Sequence, residues 1–178
     1  GCAGAGCTPT SGFITLANAS TYTSTSTKIS ITGALNAGTS LTLNGVGQQG
    51  LAGGGVVEIA GSLLSSQVAS GGGLSVTAIS IGAGYAVSFT ASATVQSGTS
   101  SIVGGDINFA AYTNGAAGVF VAGGVVPTFT TYAANLNLGT SSSYLIGGSG
   151  SGFYATNSTV MNSYAVGASS AGIINVYG

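Results

Sequence analysis

Very few side chains of this chain could carry acid–base or nucleophilic chemistry. Of the 178 residues, one is basic, Lys28, and two are acidic, Glu58 and Asp106, with neither Arg nor His. A hydrolase needs a nucleophile, a base and a group that orients the base. Lys28 would have to act as the base for a serine, or the two carboxylates would have to meet as a pair. We therefore expect no catalytic residues, and we expect that the protein is not an enzyme.

The same short inventory argues against metal, cofactor and nucleic-acid binding. Two acids, two cysteines and no His cannot form a zinc or calcium shell from side chains alone. None of the Gly-rich runs matches the phosphate-loop pattern GxxxxGK[ST], and a single Lys cannot neutralise a phosphate backbone. The sequence thus predicts no metal site, no cofactor and no nucleic-acid partner.

Two structural uses of Lys28 are consistent with the sequence. One is an intramolecular isopeptide bond to an Asn, promoted by a neighbouring buried carboxylate. The other is an ion pair with Glu58 or Asp106, or a simple place at a strand surface. An intact mass separates them, because isopeptide formation releases ammonia, about 17 Da, a loss that an ion pair does not produce.

The chain contains no apolar run long enough to cross a membrane as a helix, which takes about 20 residues. The best run, Ala116 to Val126, is shorter and is followed by Pro127. The first residues, Gly1 to Thr10, lack a Met and a basic segment, so we interpret Gly1 as a processed, mature N-terminus. Lipidation is not expected, because Gly1 precedes the first cysteine. We predict an extracellular or cell-surface protein without a membrane span.

The near absence of charge favours association. Charged residues make up 2% of the chain, against about 25% in an ordinary soluble domain. Net charge near zero promotes association. Disorder is not expected, because the chain is 44% hydrophobic with a mean hydropathy of +0.57, whereas disordered segments combine low hydrophobicity with high charge.

Hydroxyl groups take over the solubilising role of charge. Ser and Thr number 26 and 21, about a quarter of the chain, and they wet a surface without charging it. Two sequons for N-glycosylation are present, Asn18-Ala-Ser20 and Asn157-Ser-Thr159. We predict glycosylation at Asn18 and Asn157.

The two cysteines, Cys2 and Cys7, predict one disulfide in a secreted chain. In an extended strand, residues five apart are roughly 16 Å apart, whereas a disulfide needs Cα atoms within about 7 Å. Either the spacer between them, residues 3–6, closes a small loop within one chain, or the cysteines pair between subunits. The flexible spacer favours the intrachain bond, and non-reducing electrophoresis distinguishes the two.

Many segments alternate polar and apolar residues with period two, which is typical of half-buried strands. Examples are 40–44, 74–78 and 86–91, separated by Gly-rich turns. Asn114-Gly115 is a strong hairpin signal. The pattern predicts an all-β chain, including long strands at 21–32, 55–65 and 84–96.

Short alternating strands and Gly-rich turns favour a β-sandwich with a jelly-roll-like strand order. A solenoid would show self-similarity at a fixed period, but the Gly clusters are irregularly spaced and the Thr run 21–27 occurs once. We therefore expect a β-sandwich domain at 20–178, preceded at 1–19 by an extended N-terminal tail that donates a strand.

The chain has a loose overall similarity to known filament proteins. The features that carry it are the N-terminal tail Gly1 to Thr10, the Gly/Ser/Thr-rich alternating strands, the sequons and the near absence of charge. It resembles archaeal surface pilins of the bundling-pilus and thread type, which are akin to the bacterial TasA biofilm fibre. The resemblance implies β-sandwich subunits joined head to tail by donor-strand complementation, in a filament for adhesion or biofilm. It involves no diagnostic motif.

The filament hypothesis specifies a homopolymer, which also contacts neighbouring filaments, and a subunit contact. An exposed sheet edge is a template for pairing, normally blunted by Lys, Pro or inward charge, and this chain has few such residues. We predict that the N-terminal segment occupies the next subunit's groove, with Phe13, Ile14 and Leu16 as anchors and 116–126 as one wall. An ordinary first strand of its own domain is the alternative.

Two other functions are consistent with the sequence. A virion coat or surface-layer protein would share the neutrality and the all-β fold. A carbohydrate- or ice-binding module would be a monomer with one flat exposed face. Sizing of the purified protein separates the three hypotheses, because they predict fibres, shells or sheets, and monomers.

Overall fold

A computed structural model describes residues 14–16, 20–24, 28–47, 55–139, 145–148 and 151–177. Cys2, Cys7, Phe13 and Asn18 lie outside these residues, so the disulfide, one anchor and one sequon stay predictions. Within the described residues the regular structure is β-strand throughout. The strands in chain order are β1 (Ile14–Leu16), β2 (Ser20–Ser24), β3 (Ile29–Ile31), β4 (Leu35–Ala37), β5 (Leu41–Gly47), β6 (Gly55–Ile59), β7 (Leu63–Ser65), β8 (Leu74–Ser80), β9 (Tyr85–Phe89), β10 (Thr94–Ser97), β11 (Ile107–Thr113), β12 (Val119–Val121), β13 (Thr128–Tyr132), β14 (Leu136–Leu138), β15 (Leu145–Gly147), β16 (Phe153–Ala155), β17 (Val160–Tyr164) and β18 (Ile174–Val176).

The strands form three parallel sheets that are wound into a β-solenoid. Sheet A has the order β1-β4-β7-β10-β13-β17, and sheet C has the order β16-β12-β9-β6-β3. Sheet B has the order β18-β14-β11-β8-β5-β2, with β15 also paired to β11. The chain visits the sheets in turn, so each complete turn of the solenoid adds one strand to each sheet, except that β14 and β15 both join sheet B beside β11.

The predicted jelly-roll β-sandwich is wrong. All pairings between the strands are parallel, whereas a jelly roll is antiparallel. The alternation misled the interpretation, because parallel sheets usually have both faces covered and lack it. In a solenoid each sheet faces the core on one side and solvent on the other, so alternation returns.

The irregular length of the turns hid the repeat. Leu35 pairs with Leu63, 28 residues later in the sequence, whereas Val95 pairs with Phe129, 34 residues later. The corners absorb these differences, so stacked residues do not recur at a fixed period. Irregular Gly spacing is therefore compatible with a solenoid, and the expectation that the chain is not one was wrong.

The corners also divide the long strands predicted from the sequence. The predicted strand at 55–65 is β6 of sheet C and β7 of sheet A, separated by the bend at 60–62. Asn114-Gly115 is a bend between β11 and β12, which lie in different sheets, and so it is not a hairpin turn. Period-two patterns continue through such corners because the inward and outward sides are kept.

The core fills the interior of the coil with stacked apolar columns. Leu41, Leu74, Ile107 and Leu136 occupy equivalent positions in successive strands of sheet B, and all are fully buried. Phe89, Phe109 and Phe129 come one from each sheet and contact each other at ring-centroid distances of 5.5–6.2 Å. The solenoid thus has one continuous core, and its three outer faces carry the remaining side chains.

Candidate assembly and binding surfaces

The three charged side chains do not form a site. Lys28 Nζ lies 3.0 Å from Glu58 Oε2 in a half-buried ion pair, which confirms the ion-pair interpretation of Lys28. The Asp106 carboxylate instead accepts a hydrogen bond of 2.8 Å from the Asn135 main-chain N–H. Among the described residues, no three His, Cys, Asp or Glu side chains are grouped so that they could hold a metal ion.

Hydrogen-bonded and stacked side chains run from turn to turn on the outside of the solenoid. On sheet B, Asn137 Nδ2 donates to Asn108 Oδ1 at 2.8 Å, and Asn175 Nδ2 donates to Asn137 Oδ1 at 2.9 Å. On sheet A, the rings of Tyr132 and Tyr164 are 5.4 Å apart. Each of these ladders reaches the last strand of its sheet.

Sheet C carries the third ladder. The Phe120 ring stacks on Tyr85 at a centroid distance of 4.1 Å and an interplanar angle of 5°. On its other side, Phe120 lies 6.0 Å from Tyr154, nearly parallel at 12°. Tyr154 belongs to β16, the last strand of sheet C. One face of the Tyr154 ring therefore stacks on Phe120, and the other face is directed away from the sheet, beyond its last strand.

We call β16, β17 and β18 together the open rung, since each has a strand neighbour on one side only in the described part of the chain. Its inward-facing side chains continue the core columns but are not covered. Ile174 and Val176 are 39% and 56% exposed, whereas their register partners Leu136 and Leu138 are fully buried. Tyr154 and Tyr164, which end two of the ladders, are 48% and 47% exposed.

The opposite end of the solenoid consists of β1, β2 and β3, which we call the first rung. Each is the outermost strand of its sheet. The predicted anchors Ile14 and Leu16 lie in β1, which pairs with β4 of the same chain. The predicted groove wall at 116–126 contains β12, which pairs with both β9 and β16. It therefore has no free edge to offer.

The outer face of sheet B presents three straight columns of side chains across its strands. Two columns are polar or small, and the third is apolar and exposed. We call the third column, Val46, Ile79, Tyr112 and Ile146, the apolar stripe; its members are 36–41% exposed. The other columns are Thr42, Ser75, Asn108, Asn137 and Asn175, and Asn44, Thr77 and Ala110.

Asn157 lies in an exposed bend between β16 and β17. The sequon is therefore accessible on the surface, and glycosylation there stays a prediction. The outer columns of sheet B were missed by the sequence interpretation, although the alternating segments 40–44 and 74–78 contain part of them. Their alignment depends on the register between turns, which the irregular spacing conceals.

Among the described residues, no helix is long and apolar enough to cross a membrane. Comparison with known proteins found no matching family model, no similar curated protein and no similar solved structure.

Proposed function

We propose that this protein is the structural subunit of an extracellular filament and that it polymerises head to tail by stacking the open rung of one copy on the first rung of the next. The observation that supports this most directly is the exposed core at the open rung. The proposal rests on this surface rather than on the resemblance to archaeal bundling pilins, which implied a β-sandwich.

The open rung has the two properties of a strand-accepting surface. Edge strands present main-chain N–H and C=O groups that can pair with another chain, and added strands gain both main-chain hydrogen bonds and side-chain pockets. Covering Ile174 and Val176 would add apolar burial, worth about 25 cal/mol per Å². Exposure of these apolar side chains to water is unfavourable, and a further rung would bury them.

The register favours a second copy as the source of that rung. If the columns continue across the junction, Met161 meets the next subunit's Ile14, and Val176 meets its Tyr22. Sheet C has five strands against six in sheet A, so its column is interrupted by one strand spacing between Phe153 and the next subunit's Ile29. The contacting positions in sheets A and B are apolar or aromatic, so the core columns of these two sheets would continue from one subunit into the next.

The geometry of such a contact gives a filament. The open rung and the first rung are different surfaces, so the contact is heterologous and propagates without closing. The near-neutral chain adds little repulsion between copies. The predicted anchors Phe13, Ile14 and Leu16 would still contribute to the interface, with β1 kept in its own solenoid and its outer edge added to β17 of the preceding subunit. We propose adhesion or biofilm as the role of this filament, in keeping with a neutral chain rich in hydroxyl groups.

The test replaces an inward-facing side chain of the open rung by a charge. We expect the unmodified protein to form fibres in electron micrographs, with an axial repeat of about 29 Å, the six strands of sheet A at about 4.8 Å each. Val176→Asp should elute as a monomer in size-exclusion chromatography, because the junction would bury an unpaired carboxylate. Val68→Asp adds the same charge to an exposed loop between β7 and β8, and it should polymerise normally.

Two results would contradict the proposal. One is a monodisperse monomer for the unmodified protein at every concentration tested. The other is Val176→Asp polymerising as well as Val68→Asp. Closed shells or flat sheets in the micrographs would favour the coat or surface-layer alternative and would also overturn the filament.

A further inference from the structure

We infer that the outer face of sheet B binds a neutral, extended polysaccharide whose sugar rings have flat apolar faces, with the apolar stripe as the platform. This inference concerns a lateral face of the solenoid and does not depend on the junction between subunits. It commits to β-linked pyranose chains as the ligand class, of which cellulose and chitin are two sources.

The charge of the face limits the ligand to a neutral one. The strands of sheet B contain no Asp, Glu, Lys or Arg at any position. Nucleic acids, anionic lipid surfaces and acidic polymers are held mainly by basic side chains. The strands of this face offer none, so such ligands would not be bound there. What the face does offer is hydroxyl groups, amides and an apolar stripe.

The arrangement of polar and apolar columns fits the two sides of a pyranose. A sugar ring in an extended β-linked chain has a C–H face and hydroxyl groups at its edges. The C–H face would lie on Val46, Ile79, Tyr112 and Ile146, while hydroxyls at one edge reach the neighbouring column, which includes Asn44 and Thr77. The amides and hydroxyls can both donate and accept hydrogen bonds, as sugar hydroxyls require.

The spacing of the stripe matches one sugar ring per strand. Neighbouring strands lie about 4.8 Å apart, which is close to the length of one ring in an extended chain. A polysaccharide running along the solenoid axis would therefore meet an equivalent side chain at each ring. The stripe crosses four adjacent strands, β5, β8, β11 and β15, so it would hold about four rings.

Tyr112 is the one aromatic member of the apolar stripe, and its polar group is hydrogen-bonded. Its hydroxyl donates to Asn114 Oδ1 at 2.7 Å, and its side chain lies in register between Ile79 and Ile146. The hydrogen bond fixes the ring before a ligand arrives, which reduces the entropy lost on binding. An amphipathic aromatic ring held in this way is a suitable surface for the C–H face of a sugar.

Two other occupants fit the face less well. A second copy packed face to face would have to pair two fixed columns of hydroxyls and amides with those of the facing copy, because a polar group left buried without a partner is costly, whereas a single sugar chain covers only the stripe and its edges. Ice requires a flat, uniform surface, but the stripe places the Tyr112 ring in register between two aliphatic side chains, and the Asn amides of the neighbouring ladder bond to each other.

The experiment measures binding of the whole chain to cellohexaose and chitohexaose by isothermal titration calorimetry, and to microcrystalline cellulose and chitin by depletion from the supernatant. We expect binding to the cellulose-type ligands, the chitin-type ligands or both. Comparison of the two types identifies which polysaccharide the face binds. Tyr112→Ala and Ile79→Thr should each weaken that binding about tenfold or more. The control is Val126→Thr, at a residue 38% exposed in the loop before β13, against 37% for Ile79; it should leave binding unchanged.

The inference is overturned if neither oligosaccharide and neither solid binds, or if Tyr112→Ala and Ile79→Thr bind as Val126→Thr does. Ice shaping in a cooled droplet without saccharide binding would also overturn it, in favour of an ice-binding face. Filament formation by Tyr112→Ala is expected to be normal, because Tyr112 is not part of the open rung. Failure of this inference would thus be distinguishable from failure of the filament proposal.

Discussion

At the scale of single residues, the phenylalanines at the centre of the coil connect all three sheets. Phe89 belongs to sheet C, Phe109 to sheet B and Phe129 to sheet A, and all three are almost fully buried. Phe129 contacts the other two edge-on, with interplanar angles of 75° and 80°. Edge-to-face pairs of this kind add about 0.5–1.5 kcal/mol beyond their area burial. These ring contacts join different sheets, whereas pairing between neighbouring strands joins strands of the same sheet.

We expect Phe129→Ala to lower the free energy of unfolding by about 3–5 kcal/mol, because it removes a ring and leaves a cavity that three sheets cannot close. The measurement is a urea or guanidinium titration followed by far-UV circular dichroism. Phe129→Leu keeps most of the volume and should cost clearly less. A loss below about 1 kcal/mol for Phe129→Ala, within the range of an ordinary mutation, would contradict the described core.

The ion pair of Lys28 and Glu58 contributes far less. The two side chains are 34% and 19% exposed, and partly exposed ion pairs are typically worth 0–1 kcal/mol. Ser30 Oγ adds a long hydrogen bond of 3.5 Å to the same carboxylate. The only lysine is thus a minor structural contact between β6 and the residue before β3.

At the scale of elements, the corners decide how closely successive turns can stack. The backbone of one turn lies directly on the backbone of the next at Gly105, where an added Cβ would lie 2.6 Å from Gly73 N and 2.7 Å from Gly71 O. These neighbours are main-chain atoms that cannot rotate away. Similar close approaches help explain why a chain with so many strands keeps 33 glycines.

We expect Gly105→Ala to destabilise the protein by about 1–3 kcal/mol, because the added methyl group forces two turns apart. Gly123→Ala is the matched control: its nearest neighbour would be Thr156 Oγ1 at 3.7 Å, which is ordinary contact. The control should be neutral or slightly stabilising, since alanine restricts the unfolded chain. Equal thermal midpoints for the two variants would be inconsistent with the described stacking of turns.

At the scale of the whole molecule, stability has to come from apolar burial and backbone hydrogen bonds. The chain has two side-chain carboxylates, one Lys and no His. Acid denaturation works mainly by protonating paired carboxylates or by charging buried His, and salt acts by screening charge pairs. Both effects have few groups to act on, in the folded protein and in an assembled filament.

We therefore expect filaments to persist from about pH 2 to pH 9 and in molar salt. Loss of the Lys28–Glu58 ion pair would lower stability by no more than about 1 kcal/mol, because both side chains are partly exposed. Light scattering and electron microscopy across this range provide the measurement. Dissolution in mild acid or in salt alone would show that charge contributes more to assembly than the composition allows.

The sequence alone determined the class of secondary structure and, where polar and apolar residues alternate, the side of the strand that faces the core. Leu74, Val76 and Ala78 alternate with Ser75 and Thr77, and this pattern indicates both, because the side-chain period of a strand is two. Beyond Ala78 the pattern fails, since Ile79 faces outward and Ser80 is buried. The charge inventory, read directly from the residues, also set expectations about catalysis and metal binding that depend on composition and not on folding.

Only the tertiary structure decided how the strands pair. The same alternation serves a sandwich and a solenoid, and the choice depends on contacts between residues about 30 positions apart, such as Val57 and Val87, at spacings that vary from turn to turn. The apolar stripe follows from this register: Ile79 and Tyr112 are 33 residues apart in the sequence but adjacent in sheet B. A local sequence pattern does not predict such pairings, because the pairings depend on how the corners stack one turn on the next.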